Sequence, residues 1–156
     1  MVTRTIDPNE IDFKSKFDLS GKFILITGAC GLIGKAFCEA ISQFGANVIV
    51  TDIESANPQN FAKELSQKHN REMFGFSVDV SNRKAVVKLV DKVLAKATKI
   101  SGLVNAHQNK SHLIFEKFEE LKEDNWDKVV DVNLKGTFLM CQIIGTHMAE
   151  SGGGKI

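Results

Sequence analysis

The feature that most constrains this chain is the stretch from Lys22 to Asp52, where three glycines separate one apolar run from the next. Phe23-Ile24-Leu25-Ile26 is continuously apolar and rich in branched residues, the pattern of a strand buried on both faces of a parallel sheet. Gly28, Gly31 and Gly34 follow, and Ile33, Phe37, Ala40 and Phe44 then recur at helical spacing, which predicts one apolar helix face. Gly45 stands where a helix C-terminus favours a left-handed residue. Asn47 to Thr51 reads as a second strand, and it ends in Asp52.

That order of parts is what a dinucleotide requires. Gly28 lets the chain turn sharply off the strand, Gly31 lets backbone approach a pyrophosphate, and Gly34 lets the helix pack closely on the sheet. Phosphates at a helix N-terminus meet unpaired N–H groups and the positive end of the helix dipole. Asp52 lies 24 residues after Gly28, where a carboxylate accepts hydrogen bonds from the ribose hydroxyls and repels a 2′-phosphate. The pattern therefore predicts NAD(H) in preference to NADP(H). Along this stretch the expected contacts are Thr27, Gly28, Cys30, Gly31, Leu32, Ile33, Gly34, Asp52 and Ile53. A tight strand-to-helix turn with no ligand is the competing reading.

The 156 residues suit one domain, and a net charge of +1 provides no basic field for nucleic acid. Three cysteines without close pairing fit a reducing compartment, and no apolar run reaches the length of a membrane span. A cytoplasmic protein without nucleic-acid or membrane partners is expected.

Residues 1–20 read as a polar N-terminal arm and 21–156 as a single domain of alternating strand and helix signals, hence a parallel sheet with right-handed crossovers. Asn57-Pro58 starts a helix with Phe61 and Leu65 on its buried side, and Phe74 to Val80 alternates like a strand. Ser81 is expected to cap a helix carrying Val86, Val90, Val93 and Ala97, and Ile100 to Val104 forms a fourth strand. A long helix starts near Asp124, with Trp126, Val130, Asn133, Thr137, Cys141, Ile144 and Met148 on one stripe. So much apolar circumference suits a helix covered on two sides, and a homo-oligomer through residues 124–148 is expected. Asn133 falls within the stripe, either tied to neighbouring backbone or serving a site.

Several of these stretches resemble the short-chain dehydrogenases/reductases. Leu19-Ser20-Gly21-Lys22 leading to Ile26-Thr27-Gly28, Asp79-Val80, Leu103-Val104-Asn105-Ala106, and Asp131-Val132-Asn133-Leu134-Lys135-Gly136-Thr137-Phe138 are similar to ordered motifs of that family. Gly153-Gly154-Lys155-Ile156 is similar to its lead into a fifth strand. The resemblance implies a Rossmann-like three-layer α/β/α domain, with strand order 3-2-1-4 and only the start of strand 5. It implies hydride transfer between NAD and a carbonyl or alcohol carbon of a small, possibly sugar-like, substrate. It places Asp79, Val80, Asn105, Ala106 and His107 at the cofactor and Asn133 in a proton relay. Asp79 beside Ser81 equally suits a helix cap.

The chain departs from the family at three points. Its glycine spacing is T-G-x-x-G-x-x-G, and Asn105-Ala106-His107-Gln108 replaces the family's N-N-A-G. The sequence contains no tyrosine, so the family's Tyr-x-x-x-Lys pair is absent from it, as is the serine after strand 5. The expectation is the front part of such an enzyme, marginally stable alone and needing a full-length form to act on substrate. A non-catalytic NAD-binding or subunit-pairing fragment is the alternative, and the glycine spacing also admits the front of a nucleotide-sugar epimerase or dehydratase. No metal site is expected: His107 has His112 as its nearest histidine, and nothing completes a ligand set.

Overall fold

The computed structural model describes residues 12–109 and 117–156. Residues 1–11 of the expected arm, and His112, lie outside the described residues. After a short helix α1 (Phe13–Lys16) come β1 (Phe23–Thr27), α2 (Leu32–Gln43), β2 (Asn47–Asp52), α3 (Pro58–His69), β3 (Phe74–Ser77), α4 (Arg83–Leu94) and β4 (Gly102–Asn105). A helical run closes the chain as α5 (Glu123–Val130), a π-helical segment (Asp131–Gly136) and α6 (Thr137–Glu150).

The four strands are parallel and ordered β3-β2-β1-β4. Beyond β4, Leu103 N–H donates to the Lys155 carbonyl at 2.9 Å and Lys155 N–H donates to the Ser101 carbonyl at 3.2 Å, so the chain's last residues begin a further parallel strand. The incomplete Rossmann-like α/β order expected from sequence is therefore present. One sheet face packs Ile24, Ile26, Val48 and Val50 against α2 and α3; the other packs Phe23, Leu25, Ile49 and Leu103 against α4 and α6. Every residue of β1 is buried, as its apolar run predicts for a central parallel strand.

Four expectations are corrected. In α2 the buried face is Gly34, Cys38 and Ser42, while Ile33, Phe37 and Phe44 are 58, 42 and 53 % exposed. The close approach decides the face: a Cβ at Gly34 would collide with the Gly28 carbonyl, so small residues press against the sheet. Ser42 fits there because its Oγ donates to the Cys38 carbonyl at 2.6 Å, leaving no buried hydroxyl unpaired. Asn82, not Ser81, caps α4, its side chain accepting the Ala85 N–H at 3.2 Å. The third strand stops at Ser77 and is half-buried throughout, as an edge strand without alternating burial. Finally, the long helix widens at Asp131–Gly136, and Trp126 is 57 % exposed. A π turn adds a residue per turn and shifts the phase of side chains across it, so the stripe read through residue 148 does not stay on one face.

Candidate active site

The site forms where β1, β2 and β4 end, on the carboxyl side of the sheet and at its change of winding direction. Gly28 has φ +60°, and a Cβ on it would stand 2.6 Å from His107 Cα and 2.7 Å from the Ala106 oxygen. The first turn therefore needs glycine twice over, for its left-handed backbone and for its contact with the β4 end. The N-terminus of α2 carries no side-chain cap and no acid in its first turn, leaving its amides and dipole open to an anion.

At the end of β2 the Asp52 carboxylate is held by two backbone amides, Cys30 N–H at 2.9 Å on Oδ2 and Ile53 N–H at 2.8 Å on Oδ1. Each oxygen keeps a lone pair for a further donor. Burial, followed by the Asp52 charge, pushes the Cys30 thiol up to about 11, so it is protonated at neutral pH. Burial likewise pushes the His107 imidazole below the ordinary histidine range, opposed by the Val132 carbonyl and Asp52.

A cleft of about 270 Å³ brings most of the expected residues together: Gly28, Gly31, Leu32, Ile33, Gly34, Asp52, Ile53, Asp79, Val80, Ala106 and His107 line it. Thr51, Val78, Gln108 and Val132 line it too and were not singled out from sequence, although each adjoins a residue that was. Four expected residues are not on its wall. Thr27 is fully buried behind His107, and Cys30 contributes its amide to Asp52. Asn105 turns under α6, where its Nδ2 is 3.3 Å from Cys141 Sγ, because side chains alternate along β4 and this one falls on the α6 side. Asn133 is tied to backbone, its Oδ1 accepting the Asn109 N–H at 2.7 Å. Asp79 serves a turn as well as the cleft, its Oδ1 accepting Ser81 N–H at 2.9 Å and Ser81 Oγ–H at 2.7 Å. Among the described residues no cluster of histidine, cysteine and acid is placed to hold a metal.

Fold and cleft together define a doubly wound, Rossmann-like α/β domain with its cleft at the switch point of the strand order. The family profile described as short chain dehydrogenase matches residues 22–156, and the chain belongs to that family. It is 35 % identical over 144 residues to an NAD-dependent glycerol dehydrogenase of Listeria innocua serovar 6a, covering 92 % of this chain and 54 % of the relative. It is also 35 % identical to a D-threitol dehydrogenase of Mycolicibacterium smegmatis, with 94 % and 55 % covered. A gluconate 5-dehydrogenase from Burkholderia cenocepacia J2315, solved with NADP and tartrate, superposes with a TM-score of 0.80 at 26 % identity, over 92 % of this chain and 55 % of that one. The chain spans about half the length of the curated relatives it matches.

Proposed function

We propose that this chain supplies the dinucleotide-binding part, residues 21–156, of an NAD(H)-dependent oxidoreductase acting on a CH–OH or carbonyl group of a small polyol or sugar-like compound. The observation that carries the reading is the Asp52 carboxylate fixed by two amides at the mouth of the cleft, able to accept ribose hydroxyls and opposed to a 2′-phosphate. The glycine turn and the uncapped α2 N-terminus fit a pyrophosphate, because the turn has no room for side chains at Gly28 and Gly34 and presents amides instead. The nicotinamide, when bound, supplies the hydride chemistry. Gly31, Leu32 and Ile33 would flank the phosphates, Asp52 and Ile53 the ribose, Asp79 and Val80 the adenine side, and Ala106 and His107 the far end.

The relatives' glycerol and D-threitol specificities support the polyol class. The NADP in the gluconate 5-dehydrogenase makes the cofactor the point to test. In titrations followed by nucleotide fluorescence, NADH is expected to bind at least tenfold more tightly than NADPH. Asp52→Asn, which keeps one acceptor but removes the charge, should cost NADH roughly tenfold, the scale of a hydrogen bond to a charged group. NADPH binding equal to or tighter than NADH in the unmodified chain overturns the assignment. A second reading, a binding module without turnover, is favoured by the lack of tyrosine in these 156 residues. NADH-dependent reduction of a ketose or of dihydroxyacetone by the chain itself counts against that module.

A further inference from the structure

His107 sits among three elements and spends both ring nitrogens inside the protein. Nδ1 is 2.6 Å from Thr27 Oγ1 at the end of β1, and Nε2 is 3.3 Å from Thr137 Oγ1 at the start of α6. The hydroxyls assign the proton. Thr137 Oγ1 donates to the Asn133 carbonyl at 2.8 Å, so it offers His107 only lone pairs, and Nε2 must carry the hydrogen. The Val132 backbone adds an acceptor at the ring. Nδ1 is then bare and accepts from Thr27 Oγ1–H, while Thr27 Oγ1 itself accepts the Ala106 N–H at 3.2 Å. A doubly protonated ring would reverse the short bond, Nδ1–H donating to Thr27 Oγ1, and would turn the Thr27 proton to the long contact with the Val104 carbonyl at 3.4 Å.

The packing around the ring is equally tight. A Cβ at Gly136 would stand 3.2 Å from His107 Nε2 and 2.7 Å from Val80 Cγ2, and a Cβ at Gly28 would meet the His107 backbone. We propose that His107 is a positioning residue, held neutral as the Nε2–H tautomer, that couples the glycine turn of the nucleotide cleft to the π-helical segment bearing Asn133. The proposal rests on the cleft being the nucleotide site, and it extends that reading to a residue that acts through Thr27 and Thr137.

Burial is the larger influence and favours the neutral ring; against it, the Val132 backbone and the Asp52 carboxylate at the end of β2 favour the imidazolium. Asp79, before α4, is occupied by Ser81. In the π segment Asp131 and Lys135 pair with each other at 3.1 Å, and on α2 Lys35 lies over the Phe61 ring at 5.4 Å. Burial disfavours the imidazolium in the folded protein, so the neutral ring persists to a pH below the ordinary histidine value of about 6.5.

The test combines nitrogen-15 NMR of the histidine ring and backbone with NADH titrations. The wild-type ring is expected to show a protonated Nε2 and a bare Nδ1. Thr137→Val should shift the amides of Gly28, Ala29 and Gly31, which belong to another element, whereas Thr146→Val on α6, whose hydroxyl bonds the Gln142 carbonyl at 2.8 Å, should leave them in place. Because the ring stays neutral in the folded protein, its tautomer pattern should be unchanged from about pH 7.5 to 6.5. His107→Asn keeps an acceptor for Thr27 but reaches less far toward Thr137, and should shift the same amides and weaken NADH binding by about threefold or more. An Nδ1–H tautomer, an unmoved glycine turn in Thr137→Val, or an unchanged NADH affinity in His107→Asn overturns the proposal. If the amide shifts and tautomer appear but NADH does not bind, the coupling stands and the nucleotide reading fails.

Discussion

Glu39 grips two residues of α3 at once: Lys68 Nζ lies 2.7 Å from Oε1 and His69 Nε2 lies 3.2 Å from Oε2. The Lys68 contact first and the His69 contact second hold its carboxyl down at about 2. A depressed carboxylate contributes stability above its unfolded pKa of about 4.3, and that contribution is lost as pH falls toward 2. The side chain is partly exposed, so the effect is screened by salt. Thermal unfolding of Glu39→Gln should depend less on pH between about 4 and 2 than the wild type does, with the gap closing in high salt. Equal acid slopes would show the cluster to be inert. At this scale the sharp turn at Gly28 and the place of Asp52 at the end of β2 were legible in the sequence, because a strand-turn-helix dictates them within about 25 residues. The partners of His107 were not, since Thr27 lies 80 residues away and Thr137 lies 30 away.

Among the elements, α2 shows how periodicity finds a helix yet selects the wrong face. Its large apolar residues form the more conspicuous stripe, but backbone proximity at the glycine turn has priority and brings Gly34, Cys38 and Ser42 inward. Gly34→Ala should therefore destabilise the domain by about 1–3 kcal/mol, the range for overpacking, and lower the thermal midpoint by several degrees. Phe37→Ala on the outer face should shift it by much less, and the reverse ranking would refute the face assignment. The π segment was illegible for a related reason. Nothing in Asp131–Gly136 breaks a helix outright, and its widening accompanies contacts with His107, Asn109 and Val80 that come from elsewhere in the chain.

For the whole molecule, the alternation of strands and helices was enough to predict a parallel sheet with right-handed crossovers. Its strand order came from the family resemblance, because handedness alone does not decide which strands are neighbours. What alternation leaves open is coverage. Ile33, Phe37 and Phe44 stand on the outer side of α2, and Trp126, Leu134 and Phe138 are 57, 68 and 55 % exposed along the closing helical run. Leu134 and Phe138 lie about one helical turn apart, and they are the side chains through which we expect copies to associate. Sedimentation at micromolar concentration should show dimers or larger species that Leu134→Glu with Phe138→Glu returns to monomer without loss of helical circular dichroism. A wild-type monomer at high concentration would remove that interface. Among the described residues no helix is long and apolar enough to cross a membrane.

The cleft draws its walls from Gly28 at one extreme of the sequence and Val132 at the other, with β1 at the centre of the sheet, β2 and β3 on one flank and β4 on the other. Its completion therefore waits on residue 132, about a hundred residues after the glycine turn. A nascent chain emerging from the ribosome carries the glycine turn long before it carries a place for a ligand, and the site closes only once Val132 has cleared the exit tunnel. Ligand capture by stalled chains of increasing length would thus begin abruptly, once Val132 is exposed, rather than growing with each added strand.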